Sequence, residues 1–553
     1  MSRKSIFTLI AIVLFIAGVA GLFAATSFIA RLPERLSQHE TILLGQNRLV
    51  PGSQAALRVL VRDTANGAPL EGAEITVSLR PQDGGKAVAL YTGKTAAQGT
   101  AEVAFRVPDG LAANQTLVVE TRSRLGSDTI ERPVTVERDY RVLLSSDKPI
   151  YQPGQVIHLR ALALSAFDLT PAVSQPIEVT IADGKGNKVF RQTLTTSDFG
   201  AAWTDFQLAS EVNTGAYKIS ATLGNTASEK TVQVENYVLP KFDVQMQTER
   251  TFYLPGQHVS GTLRAAYFYG KPVAGGQVHL EGYTFDVQRS VLLTLDGQTD
   301  SEGNYTFEFD LPAYLAGSDL EGGQARFYLQ ATVTDLAQHA ETSNLSLPVS
   351  ASALVIEAMP EGGIPRPGVE NIIYLLTSYP DGTPANAALT VTFQNTGEQQ
   401  SVDSGEYGLA ELRYTPRDPY LQMTVEAQDR QGNSSHADFV FQGEWSEESV
   451  LLRPDQPVYR VGDTMNLSIF TTQPQGTVYL DIVRDGQAVS TRSVDVAEGK
   501  AALAVDLTPD LYGTLELHAY KILSSGSIAR DTRMVVVDRA ADLNLQITPG
   551  QDT

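Results

Sequence analysis

The chain has 553 residues, a formal net charge of −21, 42% hydrophobic and 19% charged residues, and no cysteine. Its length exceeds what one hydrophobic core supports and its composition is ordinary for folded material, so several globular domains are expected. The acidic balance, spread along the chain, excludes a basic stripe for nucleic acid; the missing cysteines exclude disulfides, thiolate metal sites, a cysteine nucleophile and a lipid-anchored N-terminal cysteine.

In chain order, the first element is apolar. Ser5 to Ala30 is a run of 26 uncharged residues, preceded by Arg3 and Lys4 and followed by Arg31, Glu34 and Arg35. As a helix it reaches about 39 Å, enough to cross a ~30 Å hydrocarbon layer with some tilt. A cleaved secretory signal has a shorter apolar region, about 7–15 residues, and Ala24-Ala25-Thr26 is a poor cleavage site. Residues 1–38 are therefore read as an uncleaved transmembrane signal anchor and short linker, a cleaved signal being the alternative. Arg3 and Lys4 orient it with the remainder outside the cytoplasm, in a periplasm, at a cell surface or in extracellular space.

From residue 39 the sequence repeats. A Pro-Gly or its relic precedes a strand at Gly52, Gly154, Gly256, Gly368 and Gly462, with spacings of 102, 102, 112 and 94. A second turn follows each time, ending in Gly99, Gly200, Gly303, Gly408 and Gly499, at distances of 47, 46, 47, 40 and 37 residues. A late strand closes each repeat. The strands alternate with period two. Leu57, Val59 and Val61 share a face with Arg58 and Arg62 opposite; Ile75, Val77 and Leu79 share another; Val478, Leu480 and Ile482 alternate with Tyr479 and Asp481. Asp183-Gly184, Asp381-Gly382 and Asp485-Gly486 are turn pairs between strands.

About seven short strands per hundred residues predicts an all-β chain of tandem immunoglobulin-like β-sandwiches behind one N-terminal transmembrane helix. The expected sandwiches are 39–139, 140–240, 241–350, 351–446 and 447–541. Residues 542–553, "DLNLQITPGQDT", align with the opening of the earlier repeats. They are read as the first strand of a sixth sandwich, and the chain as part of a longer protein.

Certain residues narrow the family. "SSDKPIYQPGQVIHLRALAL" (Ser145 to Leu164) resembles the opening of the second macroglobulin-like domain of the α2-macroglobulin and complement family. "VENYVLPKFDVQ" (Val234 to Gln245) is similar to that family's junction between second and third domains, and "YFYGKPVAGGQVHL" (Tyr267 to Leu280) to the strand and turn that follow. The resemblance implies a scaffold of macroglobulin-like sandwiches in an endopeptidase inhibitor, a protease trap whose bait segment is cleaved. In many members an internal Cys–Gln thioester then reacts. It implies proteases as partners, met through the complete parent protein. With no cysteine and no long bait-like insertion here, both parts are expected past Thr553. The alternative is an adhesion or interaction stalk of tandem sandwiches.

No residue is assigned a catalytic, cofactor-binding or metal-binding role, and no enzyme activity, cofactor or small-molecule substrate is expected. His39, His158, His258, His279, His339, His436 and His518 show no metal-ligand spacing and are read as surface strand residues. "DGKGN" at Asp183 and "DGQTDSEGN" at Asp296 are read as hairpin turns, since neither supplies the ligand set of a calcium loop. No Gly-x-Ser-x-Gly elbow occurs. The Asn-x-Ser/Thr sequons at Asn114, Asn304, Asn344, Asn433 and Asn466 carry no assignment. Tyr151, Tyr253 and Tyr459, beside the first marker, are read as packing anchors.

Overall fold

The computed structural model describes residues 21–22, 26, 38–236, 239–285, 288–315, 323–523 and 525–539. The expected anchor, apart from Gly21, Leu22 and Thr26, and the strand read at 542–553 lie outside these residues. No helix among the described residues is long and apolar enough to cross a membrane.

Among the described residues from 38 onward, the regular elements are strands. In the first sandwich His39–Leu44, Gln54–Asp63 and Thr100–Arg106 form a three-stranded sheet, with Gln54–Asp63 in the middle. Arg48–Leu49, Gly126–Val136, Asn114–Ser123, Glu74–Pro81 and Val88–Lys94 form, in that order, a five-stranded sheet. The alternation read from sequence faces inward: Leu57, Val59, Val61, Ile75, Val77 and Leu79 meet between the layers. The second sandwich repeats the plan. Tyr140–Ser146, Val156–Ser165 and Ala201–Gln207 oppose a five-stranded sheet of Ile150–Tyr151, Thr226–Val234, Gly215–Leu223, Pro176–Ala182 and Lys188–Thr195.

The third pairs Phe242–Thr248, His258–Tyr267 and Asn304–Asp310 against the four strands Arg289–Gln298, Gln277–Phe285, Gln324–Thr334 and Ala340–Ser350. The fourth pairs Val355–Pro360, Asn371–Ser378 and Leu409–Tyr414 against Gln399–Asp403, Ala387–Phe393, Tyr420–Asp429 and Ser434–Gln442. Each has its own cluster of buried apolar side chains. The fifth differs from a plain pair of layers. Its eight strands from Val450–Pro454 to Ile528–Asp538 form one hydrogen-bonded sheet that encloses its core. The reason is local. The two-residue turn Glu498-Gly499, both at positive φ, lets Gln487–Ala497 and Lys500–Asp506 pair at Ala497 and Lys500, which joins the layers at one edge.

Both repeated glycine markers are structural. At the first, the amide donates to the chain after the strand that closes the three-stranded layer: Gly52 to Val107, Gly154 to Ala209, Gly256 to Pro312, Gly368 to Pro416 and Gly462 to Leu507. The second is tighter. Gly99, Gly200, Gly303, Gly408 and Gly499 all have φ between 65° and 81°. Their carbonyls accept from Val61, Ala163, Ala265, Thr377 and Thr471 on the neighbouring strand. A Cβ at Gly200 would lie 2.3 Å from the Ala163 carbonyl oxygen, and at Gly408 2.2 Å from that of Thr377. Tyr151, Tyr253 and Tyr459 are buried, and the hydroxyls of Tyr151 and Tyr459 donate to Asp147 and Asp455 four residues earlier.

The described residues group into two compact units. One is Met1–Glu235 with Glu447–Thr553; the other is Asn236–Ser446. The first, second and fifth sandwiches thus belong to one unit made from two separate chain segments.

Candidate functional site, a buried charged contact between the first and fifth sandwiches

The strand Gln54–Asp63 is apolar on its inner face, and alternation with Arg58 and Arg62 opposite would by itself leave the outer face in solvent. That face is not in solvent. Arg58, on that outer face, is 1% exposed, and Ala56 and Leu60 beside it are buried. The cover is the fifth sandwich, where Tyr479 and Tyr520 pack on Leu60. The alternation rule was right about which residues enter each sandwich's own core. It is silent on whether the other face is covered by a second sandwich.

Arg58 reaches across this contact. Its Nη2 lies 2.6 Å from Asp481 Oδ1, 2.7 Å from the Arg492 carbonyl oxygen and 3.1 Å from that of Leu480. The guanidinium stands over the Tyr479 ring at 5.0 Å from its centroid. Tyr520 donates its hydroxyl to the other Asp481 oxygen at 2.7 Å. Burial works against the Arg58 charge, but the Asp481 carboxylate outweighs it and the pKa is raised. Burial, then the Asp481 charge, also pushes the Tyr520 hydroxyl up, so it stays a donor.

Uncharged groups fix the register around this pair. Gln487 Oε1 accepts from the Val50 amide at 2.8 Å, and its Nε2 donates to Ser53 Oγ and to the Gln54 carbonyl. Gln98 donates to Asp495 at 3.0 Å, and Arg492 pairs with Glu102. The second sandwich adds its own contacts. Phe167 sits in the fifth sandwich's core with the Arg484 guanidinium over its ring at 3.9 Å. Arg141 pairs with Asp485 at 2.8 Å, and Tyr512 donates to the Asp168 carbonyl. These groups can hold the fifth sandwich in one orientation on the first two. Nothing in their arrangement pairs a nucleophile with a base.

No pattern in the sequence marks Arg58 or Gln487 as functional residues. Two apolar neighbours on the nominal outer face, Ala56 and Leu60, were the available hint. The histidines are dispersed, and most pair with a neighbour: His158 with Asp205, His258 with Asp310, His279 with Asp296 and His339 with Asp335. His39 departs from the surface reading. It is 6% exposed, between Thr121 and Ser123, and burial lowers its pKa against the opposing pull of Asp128.

Of the two loops with calcium-like spelling, that at Asp183 is a hairpin between Pro176–Ala182 and Lys188–Thr195, whereas that after Asp296 is not: it crosses from Arg289–Gln298 in one layer to Asn304–Asp310 in the other, and Asp296 itself bonds His279. Asp183 accepts from the amides of Lys185 and Asn187 and from the side chains of Asn187 and Asn213. The Asn213 and Asn187 bonds hold its pKa down at about 2. Asp300, in the second loop, caps Glu302 and Asn304. Asp335 repeats the device without that spelling. It accepts from the amides of Ala337 and His339, from the His339 ring and from the Tyr267 hydroxyl. Burial pushes its pKa up, but these bonds outweigh burial and hold it at about 2. A carboxyl depressed in the folded state stabilises fully above its unfolded pKa, about 3.9, and loses that contribution as pH falls towards its folded value. The stability advantage of the native chain over Asp335→Asn is therefore expected to be constant above about pH 4 and to shrink between about pH 4 and pH 2. Denaturant midpoints of both proteins across that range measure it; a gap independent of pH would refute it.

Comparison with known proteins places the fold. Residues 141–234 match the MG2 domain, residues 236–314 match macroglobulin domain MG3, and residues 450–553 match the α2-macroglobulin bait region domain. Two macroglobulin domains and a bait region domain thus follow one another in the chain. It belongs to the α2-macroglobulin family, as the motifs at Ser145 and Val234 implied. An α2-macroglobulin of Thermotoga maritima is 26% identical over 343 residues, 60% of this chain and 21% of that protein. Thioester-containing protein 1 of Anopheles gambiae, allele S3, is 26% identical over 326 residues, 58% of this chain and 24% of that protein. The matched part of this chain thus spans under a quarter of either relative's length. Trypsin-activated α2-macroglobulin from Escherichia coli aligns at 15% identity with a TM-score of 0.45, over 92% of this chain and 38% of that one.

One expectation is corrected. The bait portion was placed wholly past Thr553, yet the bait region domain match begins at residue 450. The described residues of that match form the fifth sandwich, which alternates like the other four and so reads as one more repeat.

Proposed function

We propose that this chain is the scaffold portion of an α2-macroglobulin-like endopeptidase inhibitor, a protease trap working outside the cytoplasm and held to a membrane by the apolar segment Ser5 to Ala30. Five macroglobulin-like domains, 39–139, 140–240, 241–350, 351–446 and 447–541, build it, and residues 542–553 open a sixth. Its partners are proteases; its own work is mechanical, not enzymatic. With no cysteine in the chain, a thioester could form only with residues outside it.

One observation carries this reading. The sandwich that matches the bait region domain is the one whose Asp481 and Arg492 carbonyl grip the buried Arg58 of the first. A domain whose cleavage is to be sensed elsewhere must be mechanically joined to something, and a buried ion pair with hydrogen-bonded neighbours is a rigid joint. The test is a trapping assay on the complete protein to which this chain belongs. A broad-specificity protease incubated with it should keep its activity on a small chromogenic peptide and lose it on a large protein substrate. Undiminished digestion of the large substrate would overturn the reading.

A further inference from the structure

Beside the Arg58–Asp481 pair the first and fifth sandwiches do not close completely on each other. They leave a cavity of about 390 Å³, within the range of small-molecule pockets. The first sandwich lines it with Leu44, Gln46 and Arg58, and the fifth faces them with Val483, Ala488 and Ile528. Leu44, Val483, Ala488 and Ile528 make much of the wall apolar.

The polar groups of this lining are one-sided. Asp481, the sole carboxylate among the described residues that line the cavity, has both oxygens filled: Arg58 Nη2 donates to one at 2.6 Å and the Tyr520 hydroxyl to the other at 2.7 Å. Gln46 Oε1 accepts from the Ala488 amide at 3.3 Å, and because that amide can only donate, the side-chain amide is oriented by it. The His518 ring is engaged by Thr532 at 3.0 Å and by Glu516, a carboxylate outside the lining, at 3.4 Å. What remains is donors. Gln46 Nε2 and Arg58 Nε are both buried without a partner, and Arg58 is 1% exposed. The exposed Arg530, cross-strand from Tyr520, adds a second guanidinium to the lining. Buried donors are costly to leave unmade. Arg58 and Asp481 offset each other's charge, so Arg530 leaves the cavity positive. Unfilled donors and a positive balance against apolar walls select an anionic, acceptor-rich group on an apolar body.

We propose that this cavity binds a small organic carboxylate, with the carboxylate facing Gln46, Arg58 and Arg530 and the apolar body lying against Leu44, Val483, Ala488 and Ile528. No nucleophile is paired with a base in the lining, so the ligand is held and not transformed. Because it touches both sandwiches, it stabilises the seam between them by mass action. This does not depend on the protease-inhibitor reading.

Calorimetric titration of the full chain with three probes tests it. Phenylpropionate carries both features, phenylpropylamine the apolar body with the opposite charge, and inorganic phosphate the anion alone. Phenylpropionate should bind with a stoichiometry of one and raise the thermal midpoint of the unit, and the other two should bind at least about tenfold more weakly. Arg530→Ala, a replacement at an exposed position, should weaken phenylpropionate by about tenfold, the loss of one charge-assisted contact. Ile528→Trp, at a residue 46% exposed, should obstruct the cavity and abolish binding. Circular dichroism checks that both variants keep the fold. No binding of phenylpropionate at about 10 mM would overturn the proposal and leave the two buried donors to water. So would phenylpropylamine or phosphate binding as tightly as phenylpropionate, or an affinity that either folded variant leaves unchanged.

Discussion

Replacing Arg58 with methionine is expected to lower the unfolding free energy of the unit containing the first, second and fifth sandwiches by about 3–5 kcal/mol. The volume is nearly kept, so the loss is electrostatic. Asp481 would remain with only the Tyr520 hydroxyl on it, and the Leu480 and Arg492 carbonyls would each lose a donor. Leaving one partner of a buried pair uncompensated costs far more than the pair contributes net, because its desolvation is no longer offset. The double replacement Arg58→Met with Asp481→Leu should therefore recover much of the loss. Equilibrium denaturation of the three proteins decides it. A single variant within about 1 kcal/mol of the native chain would mean that Arg58 is not buried against the fifth sandwich.

Two glycines of the second sandwich should separate sharply when each becomes alanine. At Gly200, φ is 72° and the new Cβ would stand 2.3 Å from the Ala163 carbonyl oxygen. The turn must withdraw, and the bond from the Ala163 amide to the Gly200 carbonyl goes with it. Left-handed strain, a lost hydrogen bond and displaced backbone together cost about 3 kcal/mol. At Gly154, φ is 82° but nothing lies within 4 Å of the added atom. Only conformational strain remains, about 1 kcal/mol. Thermal or denaturant midpoints of the two variants measure the gap. Equal losses would mean that the second marker is a turn preference and not a steric requirement.

These two positions show what a sequence carries about such a fold. Period-two alternation reports which side chains face the partner layer, because each sandwich closes on itself. That is why Leu57, Val59 and Val61 were legible as inward-facing. The glycines were legible because both markers need φ above zero. Arg58, Tyr479 and Asp481 were not, because their burial depends on strands more than 400 residues away in the chain. An arginine opposite an apolar stripe spells a solvated face whether or not another sandwich lies on it. His39 misled for a related reason. A histidine at a strand start looks exposed until Thr121 and Ser123 on the other layer supply partners for both ring nitrogens. The eight-stranded closure of the fifth sandwich was hidden in one two-residue turn, Glu498-Gly499, whose consequence appears only when the adjoining strands are seen to pair.

The central claim is that the chain, after residues 236–446, comes back at residue 447 to seat its fifth sandwich on its first. Gln98 and Asp495, hydrogen-bonded across that seam at 3.0 Å, report on it directly. With Gln98→Cys and Asp495→Cys as the sole thiols of the full chain, a short bis-maleimide added at dilute protein concentration should close an intramolecular cross-link. Peptide mapping should recover it as one species joining the two segments. Two singly modified thiols and no joined peptide, in a chain that remains folded, would contradict the account.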